Sequence, residues 1–400
     1  MPPRTLVSHR TGFWIVAVAF LLVMAYSTVP TPLYPLYQAR DGFPVAIVTV
    51  IFAAYAVGVV VSLFLAGHIS DWLGRRRILL VAVGVSALSA VLFLVWNDVA
   101  GLIVARLVNG ASVGMLTATA TAHLGELRAR ARPDERTIVA ASVAGAANLG
   151  GLALGPLIGG LFAEFLPLPL LLPHAVFLVV LIVAAIVLTR VPETVERPEI
   201  ARRYRPQRIA VPPASRSAFI AAGFGAFAGF ALFGLFTSLA PTFLIDAFDQ
   251  HSHLLAGATP FAVFASAAIA QVVLVRVPLR TQLTIALVSC AVGLVGIAAG
   301  ALVPTYALFL LGGIVAGVGV GILFRSAIAT AGALAAPGRR GETLALIFLI
   351  AYCGLAVPVI AVGISLLFVD ETIVLMVFSG LVLVATVGAG TVMRRRAALR

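Results

Sequence analysis

Lysine is missing from this 400-residue chain, and all 27 of its basic residues are arginine. Without lysine there can be no Gly-x-x-x-x-Gly-Lys-Ser/Thr phosphate loop, and no polar interval is long enough to fold as a nucleotide-binding domain. ATP hydrolysis by the chain itself is therefore not its energy source. Charge as a whole is thin, at 10% of residues against 62% apolar, a composition whose exposed apolar surface would be untenable in a soluble domain of this size. The two cysteines, Cys290 and Cys353, both fall inside apolar runs, which excludes an extracellular disulfide framework. Acid is scarcest where it would matter most: the 15 Asp and Glu lie in loops or at the ends of apolar runs, none in the middle of one. The pattern implies no cofactor, no metal and no catalytic group.

What is present is a regular series of long apolar runs, about twelve of them: 12–37, 43–67, 78–97, 99–125, 137–163, 168–189, 218–245, 254–275, 281–302, 305–329, 343–369 and 372–392. Each reaches the ~20 residues needed to cross a hydrocarbon core of about 30 Å. When successive runs are given alternate directions, 24 of the 27 arginines collect on one side, Arg40 alone lies opposite, and Arg106 and Arg325 remain inside helices. Basic loops face the cytoplasm, so both termini are expected there. The fold expected is an all-α membrane protein of twelve transmembrane helices, multi-pass in the plasma membrane. A sequence pI near 11 can signal nucleic acid, but these arginines sit in short loops beside apolar spans, where anionic lipid is the nearer partner and no nucleic acid is expected. The first run is too long for a signal-peptide core and is read as the first span.

The longest polar interval, 190–217, is rich in Arg, Glu and Pro and splits the runs six and six. The expected organisation is an N-terminal six-helix half (1–189), a cytoplasmic linker (190–217) and a C-terminal six-helix half (218–400), the two halves parallel. A shift of about 207 residues lays Gly110-Ala-Ser-Val-Gly114 over Gly317-Val-Gly-Val-Gly321, the fourth run of each half. Six plus six with parallel halves is an architecture of gradient-driven transporters, with the substrate site near the midplane between halves.

Three strings carry more specific information. Between the second and third runs stands Gly67-His-Ile-Ser-Asp71-Trp-Leu-Gly74-Arg75-Arg76-Arg77, a carboxylate held beside three guanidiniums in a tight reversal eased by glycine. It resembles the signature of the major facilitator superfamily, Gly-x-x-x-Asp-Arg-x-Gly-Arg-Arg/Lys, at the same place. That resemblance implies a gating role in which the Asp docks on the N-terminal end of a helix of the other half and an acid after the fourth span completes a charge network, roles that fall to Asp71, Arg75 and Glu126. Trp72 departs from the family's basic residue. Arg106-Leu-Val-Asn109-Gly110 in the fourth run places a cation roughly 10 Å deep, a functional candidate by its cost alone. It is similar to the family's second motif, in which the Arg is linked to proton transfer. The fifth run has glycines at 151, 155 and 159 along one helix face, with Pro156 free to kink it. Read by itself this is a packing face, yet Gly151, Gly155, Pro156, Gly159 and Gly160 together resemble the superfamily's antiporter motif, which implies export.

Counting depth along each run places Tyr26, Tyr55, Asn109, Asn148 and Tyr352 in the middle third of their spans, where polar groups find partners or face water. With Arg106 they are the expected lining of a proton and substrate cavity. The stripe Phe230, Phe233 and Phe236 ranks below the tyrosines, and Arg325 lies near enough to a run's end to snorkel. Since no mid-run acid can carry a proton, titrating candidates are Asp41, Glu164, Asp71, Glu126, His123 and His174, a buried histidine being more often structural. The function expected is proton-driven antiport of small neutral or anionic amphipathic molecules or sugar-like metabolites by a monomeric exporter, not an enzyme. An uptake symporter for a sugar or organic acid is the alternative.

Overall fold

The computed structural model describes residues 7–66, 69–133, 138–195, 216–334 and 340–397, with the side chains of 138, 340–342, 396 and 397 left aside. Gly67 of the first string and residues 196–215, most of the expected linker, lie outside the described residues, as do Arg4, Arg136, Arg339 and Arg400.

Among the described residues every regular element is a helix. The N-terminal series is α1 (His9–Thr28), α2 (Tyr34–Asp41), α3 (Val45–Ala66), α4 (Ser70–Leu73), α5 (Arg75–Val95), α6 (Val99–Ala131), α7 (Ile138–Phe165) and α8 (Leu172–Leu188). The C-terminal series is α9 (Arg216–Ser238), α10 (Ala240–Asp246), α11 (His253–Val273), α12 (Leu279–Leu302), α13 (Tyr306–Leu334), α14 (Arg340–Ser365) and α15 (Glu371–Ala397). Polar residues set the starts: Ser8 accepts from Thr11 N, Asp98 from Gly101 N and Ser252 from Leu255 N, each satisfying an orphan N–H of a helix's first turn.

Among the described residues, eleven helical stretches are long and apolar enough to cross a membrane. The run 168–189 does not yield a full-length twelfth. Pro167 and Pro169 occupy turn geometry and Pro173 stands in the first helical turn, so α8 begins only at Leu172 and has 17 residues. At 1.5 Å per residue it is about 26 Å long, at the short limit for crossing.

Packing repeats itself along the chain. α12 packs on α13 as α5 does on α6, α11 on α13 as α3 on α6, and α9 on α14 as α1 on α7. The glycines paired by the 207-residue shift sit at equivalent contacts: a methyl on Gly110 would overlap the Tyr55 carbonyl of α3, and one on Gly317 would lie 2.5 Å from the Val263 carbonyl of α11. Helices in lipid gain little from burying apolar surface against each other, so backbone approach at such small residues supplies the contact. Among the described residues, the most extensive pairings between the two series are α7 with α11 and α3 with α14.

Candidate functional site

Where the two series meet, a cavity of about 20 Å³, room for about one water, is walled by Thr28, Phe52, Tyr55 and Leu152 from one side and by Phe230, Phe233, Phe264 and Tyr352 from the other. Tyr55 and Tyr352 meet edge to face across it at 6.3 Å, and Phe230 meets Tyr352 edge to face at 5.5 Å. Phe230 and Phe233 of the α9 stripe, ranked below the tyrosines from sequence, thus supply part of the wall, whereas Phe236 packs on Phe309 of α13. Phe227, Ala228 and Ala231 of α9 line a second, larger apolar cleft of about 550 Å³ between α9, α14 and α15, whose lining includes neither Arg106 nor Asn109.

Among the described residues Arg106 is the largest fully buried side chain, 1% exposed. One guanidinium nitrogen donates to the Ser27 carbonyl at 2.6 Å, and the group lies 4.5 Å from the Tyr55 ring centroid and 5.6 Å from that of Phe52. Two desolvated ring faces stabilise the cation by about 2 kcal/mol or more. Arg106 Nε and both amide atoms of Asn109 are buried without a hydrogen-bond partner among the described residues. Arg106 and Asn109 therefore sit behind the aromatic wall, not on it. Of the six expected lining residues, Tyr55 and Tyr352 line the cavity, Tyr26 turns to His174 at 3.1 Å, and Asn148 is half-buried on α7.

The glycine face of α7 divides its contacts. Methyls on Gly151, Gly155 and Gly159 would strike the α1 segment at the Leu21, Ala25 and Val29 carbonyls, whereas Gly160 and the Pro156 carbonyl meet Gly257 of α11. Pro156 has no N–H to give to the Leu152 carbonyl four residues back. The Thr28 hydroxyl of α1 donates to that carbonyl instead, at 3.1 Å. Nearby, Glu164 at the end of α7 accepts from Ser252 Oγ and Leu254 N at the start of α11.

At the other end of the bundle Arg75 bridges Asp71 (2.5 Å) and Glu126 (3.0 Å) and donates to Ser70 Oγ. Asp71 is thus tied within its own series. Sequence reasoning missed Glu193: its carboxylate accepts from the backbone N–H of Arg75 and Arg76, the positive end of α5. Gly74, at φ 104°, permits this, since a Cβ there would lie 2.6 Å from Glu193 Oε2. Arg76 donates to the Thr189 and Val191 carbonyls, and Thr194 Oγ donates to Glu126, so the segment after α8 is strapped over this network. Arg325 is held by the Gln271 carbonyl at 2.7 Å.

A family model described as Major Facilitator Superfamily matches residues 15–359. The chain belongs to that superfamily. This facilitator is a multi-pass membrane protein, in keeping with the plasma-membrane location expected from its sequence. It is 32% identical over 155 residues to a puromycin resistance protein of Streptomyces alboniger, covering 39% of this chain and 30% of that one. It is 33% identical over 76 residues to the arabinose-proton symporter of Bacillus subtilis, covering 19% and 16%. The chain spans under a third of the length of the curated relatives it matches. Its fold is like that of the human organic anion transporter, with a TM-score of 0.68 at 20% identity over 96% of this facilitator and 99% of that structure.

Proposed function

We propose that this facilitator is a secondary active transporter that exports small amphipathic molecules, neutral or anionic, in exchange for protons. In this reading α8 is the sixth of twelve spans, both termini are cytoplasmic, and two parallel six-helix halves, 1–189 and 218–400, rock about the α3–α14 and α7–α11 contacts. Residues 190–217 link them on a cytoplasmic face whose arginines meet anionic lipid, and the protein works as a monomer. The observation that carries the substrate class is the buried Arg106 with its unpartnered Nε beside the unpartnered Asn109 amide, behind a cavity wall without acid. Such groups are costly until something pairs with them, and an anionic or hydrogen-bonding substrate would. Tyr55 and Tyr352 complete the cavity set. Asp71, Gly74, Arg75, Arg76 and Glu126, with Gly67 before them, act as the inner gate.

Gly151, Gly155, Pro156, Gly159 and Gly160 support antiport through the resemblance stated above, and the likeness to a resistance protein favours export. Likeness to a proton symporter keeps proton-coupled uptake of a sugar or organic acid as the second reading. Flux in proteoliposomes under an imposed pH gradient, with labelled cationic, neutral and anionic compounds, separates the two. Gradient-driven export of neutral or anionic compounds is expected. Accumulation down the proton gradient would select the symporter, and Arg106-independent cation efflux would overturn the substrate class.

A further inference from the structure

His174 of α8 is fully buried, yet both ring nitrogens are partnered: Nδ1 lies 3.1 Å from the Tyr26 hydroxyl of α1 and Nε2 3.3 Å from the Tyr37 hydroxyl of α2. Phe93 of α5 stacks on the ring at 4.4 Å, 6° from parallel. The nature of the two partners matters. A neutral imidazole needs one donor and one acceptor, an imidazolium needs two acceptors, and a phenol serves as either. Both protonation states therefore keep every hydrogen bond by rotation of a hydroxyl. His123, the other buried histidine on α6, differs: its Nε2 faces the Pro192 carbonyl, which only accepts. That nitrogen is fixed as a donor.

His174 also stands on a polar route. The Arg40 guanidinium lies 5.3 Å from the Tyr37 ring centroid, pairs with Asp41 at 2.6 Å and donates to the Asn97 carbonyl just past α5. This places the half-exposed Arg40–Asp41 pair at the end of α5 opposite Arg75. On the other side of His174, Tyr26 immediately precedes Ser27, whose carbonyl holds Arg106. The titratable and charged groups around the ring are Tyr26, Tyr37 with Tyr34 beside it, and Arg106, with Arg40 and Asp41 farther out; α5 offers Phe93.

We propose that His174 is the proton-binding group of the transport cycle, loaded through Tyr37 from the Arg40–Asp41 end of the bundle. This rests on the proton-coupled reading above. A proton arriving at the Tyr37 oxygen forms a new O–H bond as the original phenolic proton passes to the Nε2 lone pair, leaving Tyr37 neutral and His174 an imidazolium whose Nδ1–H donates to Tyr26. The new cation repels Arg106 in a medium of low dielectric and loosens its hold on Ser27, which links protonation to the central cavity.

The test places spin labels at Phe165→Cys and His251→Cys, on the two sides of the Glu164 contact, in a Cys353→Ser background reconstituted in nanodiscs. Their distance distribution is read from about pH 8 down to about pH 3. The native sequence should show a pH-dependent shift, His174→Gln should lose it, and Tyr37→Phe should keep its end points but slow the response to a pH jump. A folded His174→Gln protein that keeps the shift overturns the proposal. If that variant does not fold, Tyr37→Phe decides, since an unchanged response rate overturns it equally. No shift in the native protein alongside gradient-driven flux sinks His174 and spares proton coupling, whereas no shift and no such flux sinks both.

Discussion

Thr28→Val removes one hydroxyl at nearly constant volume and tests the join between α1 and the proline of α7. The Thr28 hydroxyl also touches the Ala25 carbonyl at 3.2 Å, but Val29 N already donates there, so that carbonyl stays satisfied. The Leu152 carbonyl is different, because Pro156 cannot serve it. A buried acceptor left unmade costs about 1–3 kcal/mol, while hydrogen bonds between membrane helices average about 0.6 and reach about 1.7 kcal/mol. A loss near the upper membrane figure follows, about 1.5 kcal/mol, since the helix has no substitute donor. Pro156→Ala supplies that donor. In its background Thr28→Val should cost close to nothing, giving a coupling of about 1.5 kcal/mol, above the roughly 0.5 kcal/mol scatter of independent sites. SDS-unfolding titrations of the four proteins in mixed micelles measure it. Equal costs of Thr28→Val in both backgrounds would refute the pairing of Thr28 with the proline gap.

Gly155→Leu should destabilise by about 1–3 kcal/mol and cut flux, because its side chain would run into the Ala25 carbonyl and Thr28 hydroxyl; a normal unfolding midpoint would leave the glycine inert. Asp71→Asn should slow turnover more than it weakens substrate binding, as expected of a group that stabilises one of two global states, and unchanged flux removes the gating assignment. Asp246, beyond the end of α9, has its carboxyl raised above the usual range by burial and then by the nearby Glu371. The folded protein therefore holds this proton more tightly than the unfolded chain, and stability falls as pH rises from about 4 through the raised value. Asp246→Asn should flatten that fall and be more stable than the native protein at neutral pH, by the same titration.

Much of the fold was legible because crossing lipid constrains sequence harshly. Eleven of the apolar runs correspond to crossing-length helices, and the 207-residue echo of glycines corresponds to equivalent backbone contacts. The late start of α8 within the run 168–189 was not legible from apolarity alone, because Pro167, Pro169 and Pro173 leave hydropathy nearly intact while delaying the helix. Within the candidate site, the Arg75 bridge to Asp71 and Glu126 joins residues that a motif had already marked. Glu193 was missed because it lies 118 positions from the N–H it accepts, with no periodicity to link them. Depth counting found mid-span polar residues but could not say which way they turn, so Arg106 and Asn109 were assigned to a wall that Phe52, Tyr55 and the α9 phenylalanines occupy.

By itself, then, the order of residues determined that this is a many-helix membrane protein with arginine-rich loops, a cation placed inside a helix and no mid-span acid. Those properties follow from local rules: length against bilayer thickness, charge against lipid, backbone polar groups that must be satisfied within each segment. Only the tertiary structure decided that Thr28 serves the gap left by Pro156, that two tyrosines from different helices hold both nitrogens of His174, and that Gly159 and Gly160 face different partners. Such pairings depend on the rotation of each helix about its axis, which is fixed by side-chain packing between helices and leaves no signature in any one segment.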